Sequence, residues 1–489
     1  MACCCTLRLT PRRRSTRFEH NSTLGSKPVE TSASSRRAAL IAVTMMSLAS
    51  PFMLSGVNIA LPTIGAEFGT SAVLLTWMST AYSLATAMLL LPSGKLADIH
   101  GRKRIFAWGV AGSALSALLC ALAPSAALLL VFRVLQGMSA ALCFSTGTAI
   151  LTSVYPASER GRVLGINTAA VYSGLSIGPF VGGLIVQHWG WRAIFWITVP
   201  VALLTLWFTL NRVHAEWADS PDDVFDLPGS LLYAAAVVAL IVGFGQLPSL
   251  RGLLILLLGV ALTAAFLHTQ ARKETPLLDL NIFRGNRVFT MSSLAALANY
   301  AATASVTYLL SLYLQYIEAL SPAQAGLIMV SQPIVQTIVS PMAGSLSDRV
   351  QARLVASAGM ALTALGIVLL TFLSLDTPMT LVIVALVVLG LGFGLFSSPN
   401  TSALMGAVER RHYAVASGLV SLMRTFGQMV SMGMVIILFA VNLGEAAITP
   451  ALYPRFLTSM RQILVISAVL CGLGVFASLA RGNNHPDRP

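Results

Sequence analysis

Four short stretches hold the residue types that could do chemistry, and that chemistry is of charge and close backbone contact rather than of bond making. In "GKLADIHGRKR" (94–104), Gly94, Asp98, Gly101 and Arg102 set one carboxylate among Lys95, Arg102, Lys103 and Arg104. Asp98 can therefore meet the Arg102 guanidinium and the N-terminal ends of neighbouring helices, holding two bundles together in one access state. In "LLLVFRVLQGMSAA" (128–141), Arg133 lies about nine residues inside an apolar run, roughly 13 Å deep at helical rise. An ion at that depth costs several kcal/mol unless it faces water or a partner, and depth argues against a snorkelling side chain. Arg424, in "SLMRTFGQ" (421–428), is a second such guanidinium. In "GLSIGPFVGG" (174–183), Gly174, Gly178 and Gly182 fall on one helix face and Gly183 follows, while Pro179 frees a carbonyl and bends the helix. The same spacing also serves ordinary helix packing.

No catalytic residues accompany these stretches, and no cofactor is implied. The six cysteines are Cys3, Cys4 and Cys5 near the start and Cys120, Cys143 and Cys471 inside apolar runs, none at metal spacing with histidine. They read as small hydrophobes, so no metal site is expected. A G-x-x-x-x-G-K-[ST] loop is absent, which disfavours an ATP-driven pump.

The elements that must position these residues follow from composition. Of 489 residues, 56% are apolar and 10% charged, and the mean hydropathy is +0.78, against about one quarter charged in soluble domains. Apolar runs of roughly 20 residues span a hydrocarbon core about 30 Å thick as helices. Fourteen are predicted, near 39–61, 74–92, 105–122, 125–149, 164–187, 192–210, 228–247, 251–269, 288–314, 323–343, 353–374, 379–400, 413–442 and 460–481. The net charge of +13 collects in alternate loops, as at Lys95–Arg104 and Arg160 with Arg162. That is the positive-inside pattern with both termini cytoplasmic, and with no fold or aromatic signature beside it nucleic acid is excluded as a partner.

Internal repetition groups the spans. "GKLADIHGRKR" returns in degenerate form as "GSLSDRVQAR" (344–353), with Asp98 and Asp348 250 residues apart, and "ER" at 159–160 returns at 409–410. The expected organisation is a disordered basic cytoplasmic tail (1–38), an N-terminal six-helix bundle (39–210) and a linker with two extra transmembrane helices (211–287). A C-terminal six-helix bundle (288–481) and a short cytoplasmic tail (482–489) complete it.

On these residues the chain resembles the major facilitator superfamily. "GKLADIHGRKR" is similar to the family's loop between spans two and three, "LLLVFRVLQGMSAA" to its fourth-helix motif and "GLSIGPFVGG" to its antiporter signature. "WGWRAIFWITVP" (189–200) and "TPLLDLNIFR" (275–284) look like the 14-span drug:proton antiporter branch. The resemblance covers essentially 39–481. It implies an all-α integral membrane protein of the cell membrane, no enzyme, in which two bundles rock about a central site. It also implies a small-molecule substrate, exchanged protons, the lipid bilayer as surroundings and a monomer as the working unit.

One departure matters. That branch usually carries Leu-Asp-x-Thr before Val-Asn-x-Ala-Leu-Pro on the first helix, but here "PFMLSGVNIALP" (51–62) places Met53 where the Asp is expected and retains Asn58. Asp226, Glu318, Asp348, Asp376, Glu409 and Glu445 fall at or beyond helix ends and do not replace it. The midplane thus holds Arg133 and Arg424 without a carboxylate, which favours neutral or anionic amphiphiles over multivalent cations. The residues expected to line the cavity are Met53, Asn58, Gln136, Asn167, Tyr300, Gln332 and Asn400, with interhelical hydrogen bonding as the other reading of each polar one. "SSPN" (397–400) reads as a helix break at depth.

Overall fold

In an apolar solvent every backbone N–H and C=O must be satisfied within the chain, so long apolar segments become helices. The computed structural model describes residues 33–213, 216–218, 223–247, 249–273, 276–278, 283, 285–408, 413–444, 446 and 448–482. Most of the tail with Cys3–Cys5, the chain end beyond Gly482, Glu409, Glu445 and the side chains of Arg160, Arg162 and Asp348 lie outside the description.

The first group of helices is α1 (Ala33–Phe68), α2 (Ala72–His100), α3 (Arg102–Ala121), α4 (Ala126–Val154), α5 (Ala157–Trp189) and α6 (Arg192–Arg212). Then come α7 (Leu227–Gly245) and α8 (Leu250–Gln270). The second group is α9 (Arg287–Leu312), α10 (Pro322–Met329), α11 (Ser331–Arg349), α12 (Ala352–Leu370), α13 (Met379–Gly406), α14 (Tyr413–Asn442) and α15 (Tyr453–Ala480). Ser71, Ser125, Asp226, Ser249, Asn286 and Ser321 cap the N-termini of α2, α4, α7, α8, α9 and α10 with side-chain oxygens, satisfying N–H groups that the first turn leaves unpaired.

Three expectations are corrected. The span expected at 323–343 is present as one membrane-length stretch, Pro322–Ser347, but it is broken at Val330 into α10 and α11; Pro333 has no N–H to offer the carbonyl of Met329 and its ring opposes a continuous turn there. The break expected at "SSPN" does not occur, because α13 runs through Pro399 to Gly406. Among the described residues, with α10 and α11 counted together as one span, 13 rather than fourteen stretches are long and apolar enough to cross a membrane. The one left out is α9, a 26-residue helix whose Asn299, serines, threonines and tyrosines dilute its apolar content. Its composition suits its place: Ser292, Asn299, Ser305 and Ser311 are all fully buried against protein rather than lipid.

Within the first group α1 packs on α5 and α6, α2 on α4, and α3 on α4 and α6; within the second α9 packs on α14 and α15, α12 on α13 and α15, and α11 on α13. The paired α7 and α8 stand outside, with α7 laid against both α2 and α14. The bundles meet along α5 with α10 and along α2 with α14. We call the end at Gly101 the charged face and the end at Gly69 the opposite face.

Candidate functional site

The site has three levels, and the charged face comes first. Gly101 alone joins α2 to α3, at φ +104 in the left-handed region, and a Cβ there would run into the Glu216 carboxylate. This is the position where glycine is required. Across it Arg102 donates to Asp98 Oδ1 from Nε (3.2 Å) and Nη2 (2.9 Å) and to Ser153 Oγ of α4 from Nη1 (2.5 Å). Gly94 faces Ser145 of α4 with ordinary spacing. Among the described residues Asp98 pairs with Arg102 of its own bundle, and the tie between bundles expected of it is not among the described contacts.

The loop is instead strapped by the α6–α7 linker. Lys103 N–H donates to Glu216 Oε1 (2.8 Å), Arg102 N–H to Trp217 O (2.8 Å) and Lys95 Nζ to Asp223 Oδ2 (2.6 Å). At the end of this linker Asp226 accepts from Gly229 N–H (2.8 Å) and Gln270 Nε2 (3.0 Å) and pairs with Lys273. Burial pushes the Asp226 carboxyl up, but these hydrogen bonds outweigh it and hold the group below its ordinary pKa.

At mid-depth α4 presents Arg133, only 1% exposed. Its Nε donates to Met78 O (3.2 Å), its Nη1 to Gln136 Oε1 (2.5 Å), and its guanidinium lies over the Tyr82 ring at 4.6 Å. Nη2 has no partner. Arg424 of α14 is half-buried, makes no hydrogen bond or ion pair among the described residues, and lies within electrostatic reach of Tyr82 and Tyr300. Tyr300 packs edge-on against Phe393 at 5.6 Å, and Tyr172 hydrogen-bonds Ser397 across the bundle boundary at 2.7 Å. Two guanidiniums and three tyrosines from both bundles thus converge with no carboxylate among the described partners, a set that can hold an anionic or neutral polar group beside aromatic faces.

Nearer the opposite face the bundles are joined. Asn58 is the pivot: Ser79 donates to its Oδ1 (2.9 Å) and Ser311 of α9 to its backbone O (2.9 Å). Gln315 donates to Ile59 O (3.0 Å), and the Thr76 and Tyr308 hydroxyls pair at 2.8 Å. The glycine stripe of α5 splits its task. Gly174, Gly178 and Gly182 face α1, where a Cβ would meet Leu48 O, Ser55 Oγ and Gly56 Cα, whereas Gly183 faces Pro322 O. Reciprocally, Gly326 of α10 lies against Pro179 O. Pro179 leaves α5 a continuous helix.

The remaining expected cavity residues are dispersed. Met53 is buried against α6, its Sδ accepting from Thr198 Oγ1 at 2.8 Å, and so packs inside the N-terminal bundle. Asn167 is half-buried with an unpartnered Oδ1, and Gln332 is half-buried at the start of α11. Asn400 donates to Ser292 O (3.2 Å) and accepts from Arg481 Nη1 (3.1 Å). Among the described residues no cluster of three or more His, Cys, Asp or Glu could hold a metal.

The sequence profile described as Major Facilitator Superfamily matches residues 43–432 and 292–489. The chain belongs to the Major Facilitator Superfamily. It is 30% identical over 425 residues (86% of this chain, 92% of the relative) to the riboflavin transporter RibZ of Clostridioides difficile. It is 33% identical over 377 residues (76% and 70%) to the multidrug resistance protein Stp of Mycobacterium tuberculosis. With the methylenomycin A resistance protein of Streptomyces coelicolor it shares 32% identity over 432 residues (84% and 89%). Its fold is similar to the crystal structure of a bacterial homolog of the human lysosomal transporter Spinster, with TM-score 0.65, 17% identity and coverage of 92% and 98%. The protein is a multi-pass membrane transporter and not an enzyme.

Sequence reasoning missed two parts of this superfamily member. The linker "HAEWADSPDDVFD" (214–226) is recognisable as acidic, and its charge opposite to the 94–104 loop was the available signal for the strap. Arg481 carried none: placed at a chain end, it is 2% exposed and bonds Asn400, Ser292, Ser478 and Ala352 O.

Proposed function

We propose that this transporter is a secondary active exporter of small amphiphilic compounds, of the multidrug-efflux kind, that works by alternating access in antiport with protons. It sits in the cell membrane as a monomer with both termini and the charged face cytoplasmic, the side to which its basic loops point. The cross-bundle hydrogen bonds lie towards the opposite face, so the described state opens towards the cytoplasm, and rocking about the α2–α7–α14 side would reverse it.

The observation that carries the substrate reading is Arg133, whose Nη2 makes no hydrogen bond, and Arg424, both without an ionic partner among the described residues. At an effective dielectric of about 20, a cation brought within about 5 Å of one guanidinium is opposed by about 3 kcal/mol. Neutral and anionic amphiphiles escape that penalty. With no carboxylate beside the arginines, proton coupling is assigned to the Asp98 network.

A second reading, an uncoupled or weakly coupled exporter of one neutral or anionic metabolite, is favoured by the similarity to a riboflavin transporter over 86% of the chain. Proteoliposomes without ATP separate the two. The first reading expects flux of several neutral and anionic amphiphiles, stimulated by a pH gradient, and weak flux of dicationic dyes. Flux of a single compound indifferent to the gradient selects the second, and robust dication export by the unmodified protein sinks the charge argument. Arg424→Gln should narrow the anion-over-dication preference about a hundred-fold, the scale of one such charge contact.

A further inference from the structure

A groove of about 550 Å³ opens between α3 and α6 on the outer side of the N-terminal bundle, at the charged face. It is amphiphilic along its length. One wall and the floor are apolar, formed by Ala107, Trp108, Leu206 and Leu210, with Trp108 52% and Leu210 54% exposed. Its mouth carries Lys103 and Arg104 in the first turn of α3. Neither side chain has an ion-pair partner among the described residues: Lys103 offers Glu216 only its backbone N–H, and Arg104 stacks over the Trp108 ring at 5.6 Å. The one carboxylate at the groove, Glu216, is occupied by the N–H groups of Lys103 (2.8 Å) and Trp217 (3.4 Å). At the same level Arg212, ending α6, stacks over Trp207 at 5.5 Å, so both helices place an arginine on a tryptophan there. That is the arrangement of a membrane interface, where aromatic rings sit at headgroup level and basic groups reach for phosphate.

We propose that this groove binds an anionic glycerophospholipid, its phosphate between Lys103 and Arg104 and one acyl chain laid along Trp108, Leu206 and Leu210. A soluble anion would use the two cations and leave the apolar wall idle, whereas a zwitterionic lipid would use the wall and leave a net positive mouth. Only an amphiphile with an anionic head matches both halves. The headgroup also comes to rest beside Glu216, the residue lying against Gly101, so the occupant borders the strapped loop.

The test reconstitutes the full chain into phosphatidylcholine nanodiscs doped with brominated phosphatidylglycerol or with brominated phosphatidylcholine, and reads tryptophan quenching. Subtracting the signal of a Trp108→Phe variant isolates the share of Trp108. Quenching is expected at a much lower mole fraction of the brominated anionic lipid. The Lys103→Gln/Arg104→Gln variant should reduce that preference about 25-fold, five-fold for each cation lost at an anionic surface. Arg104→Lys, which keeps the charge, should retain most of it and serves where the double variant does not fold. Equal quenching by the two lipids, or an unchanged preference in the double variant, overturns the proposal. Inorganic phosphate should leave the quenching unaltered; displacement by phosphate would mark a soluble-anion site and overturn the lipid assignment.

Discussion

The two ends of the boundary between the bundles are built from different materials. Near the opposite face it consists of neutral contacts: hydroxyl and amide donors onto backbone carbonyls at Asn58 and Ile59, the Thr76–Tyr308 pair, and Gly183 and Gly326 pressed onto backbone oxygens of the other bundle. At the charged face the ion pairs among the described residues lie within the N-terminal bundle and its linker, at Asp98–Arg102 and Lys95–Asp223. There α11 leaves Ile338 and Met342 62% and 64% exposed, and little of it touches α5. The difference teaches how such a boundary can open. Neutral hydrogen bonds net about 1 kcal/mol each, so a handful can close one end and still be exchanged for another set, which two states a few kcal/mol apart require. An ion pair across the same gap would be left uncompensated in the apolar interior each time the bundles parted.

The comparison is broken most forcefully at its glycines. Gly326→Val drives a side chain into Pro179 O, and overpacking of about 1–3 kcal/mol should cut the closed population between about five-fold and a hundred-fold. Labelling of a Ser311→Cys reporter by an impermeant maleimide from the Gly69 side should rise accordingly. Gly472→Ala, which meets open space, should leave it unaltered; equal labelling in both would show that backbone contact does not make the seal.

A smaller effect is expected at the other end. Asp98 is partly exposed, and an ion pair of that kind contributes about 0.2–1 kcal/mol. Asp98→Asn should therefore lower gradient-free flux by no more than about five-fold, while abolishing its stimulation by a pH gradient. Retained stimulation would move proton coupling away from this loop.

The smallest effect sharpens the role of the linker. The Asp226 carboxyl is held below its ordinary pKa, so its stabilisation is complete above the unfolded value of about 3.9 and is lost as pH falls through the folded value. On acidification from about 3.9 through the folded value the thermal midpoint of the native protein should fall more steeply than that of Asp226→Asn. The difference should be on the order of 1 kcal/mol, because Lys273 is partly exposed. Parallel pH profiles would remove Asp226 from the account.

Much of this was legible in the sequence because it is local. Length and hydropathy of a run decide whether it spans, and the paired α7 and α8 appear at 228–247 and 251–269 within a few residues of their observed ends. The stripe at Gly174, Gly178 and Gly182 was legible as a face for close approach because 3.6 residues per turn puts those positions in line. What the face meets was not. The break at Val330 escaped because apolar content continues across it, and α9 is polar because it is enclosed by protein, which no single run reveals.

By itself the sequence determined the membrane setting, the helical spans, the repeat and the placing of charge at Asp98, Arg102, Arg133 and Arg424, since each depends on composition along one segment. Only the tertiary structure decided the partners. It turned Met53 onto Thr198, kept Asp98 within its own bundle, buried Arg481 beside Asn400 and laid Glu216 on Gly101. The physical reason is that a polar side chain in an apolar interior is fixed by whichever donor or acceptor comes within about 3 Å, and such partners lie up to 256 residues away in the chain.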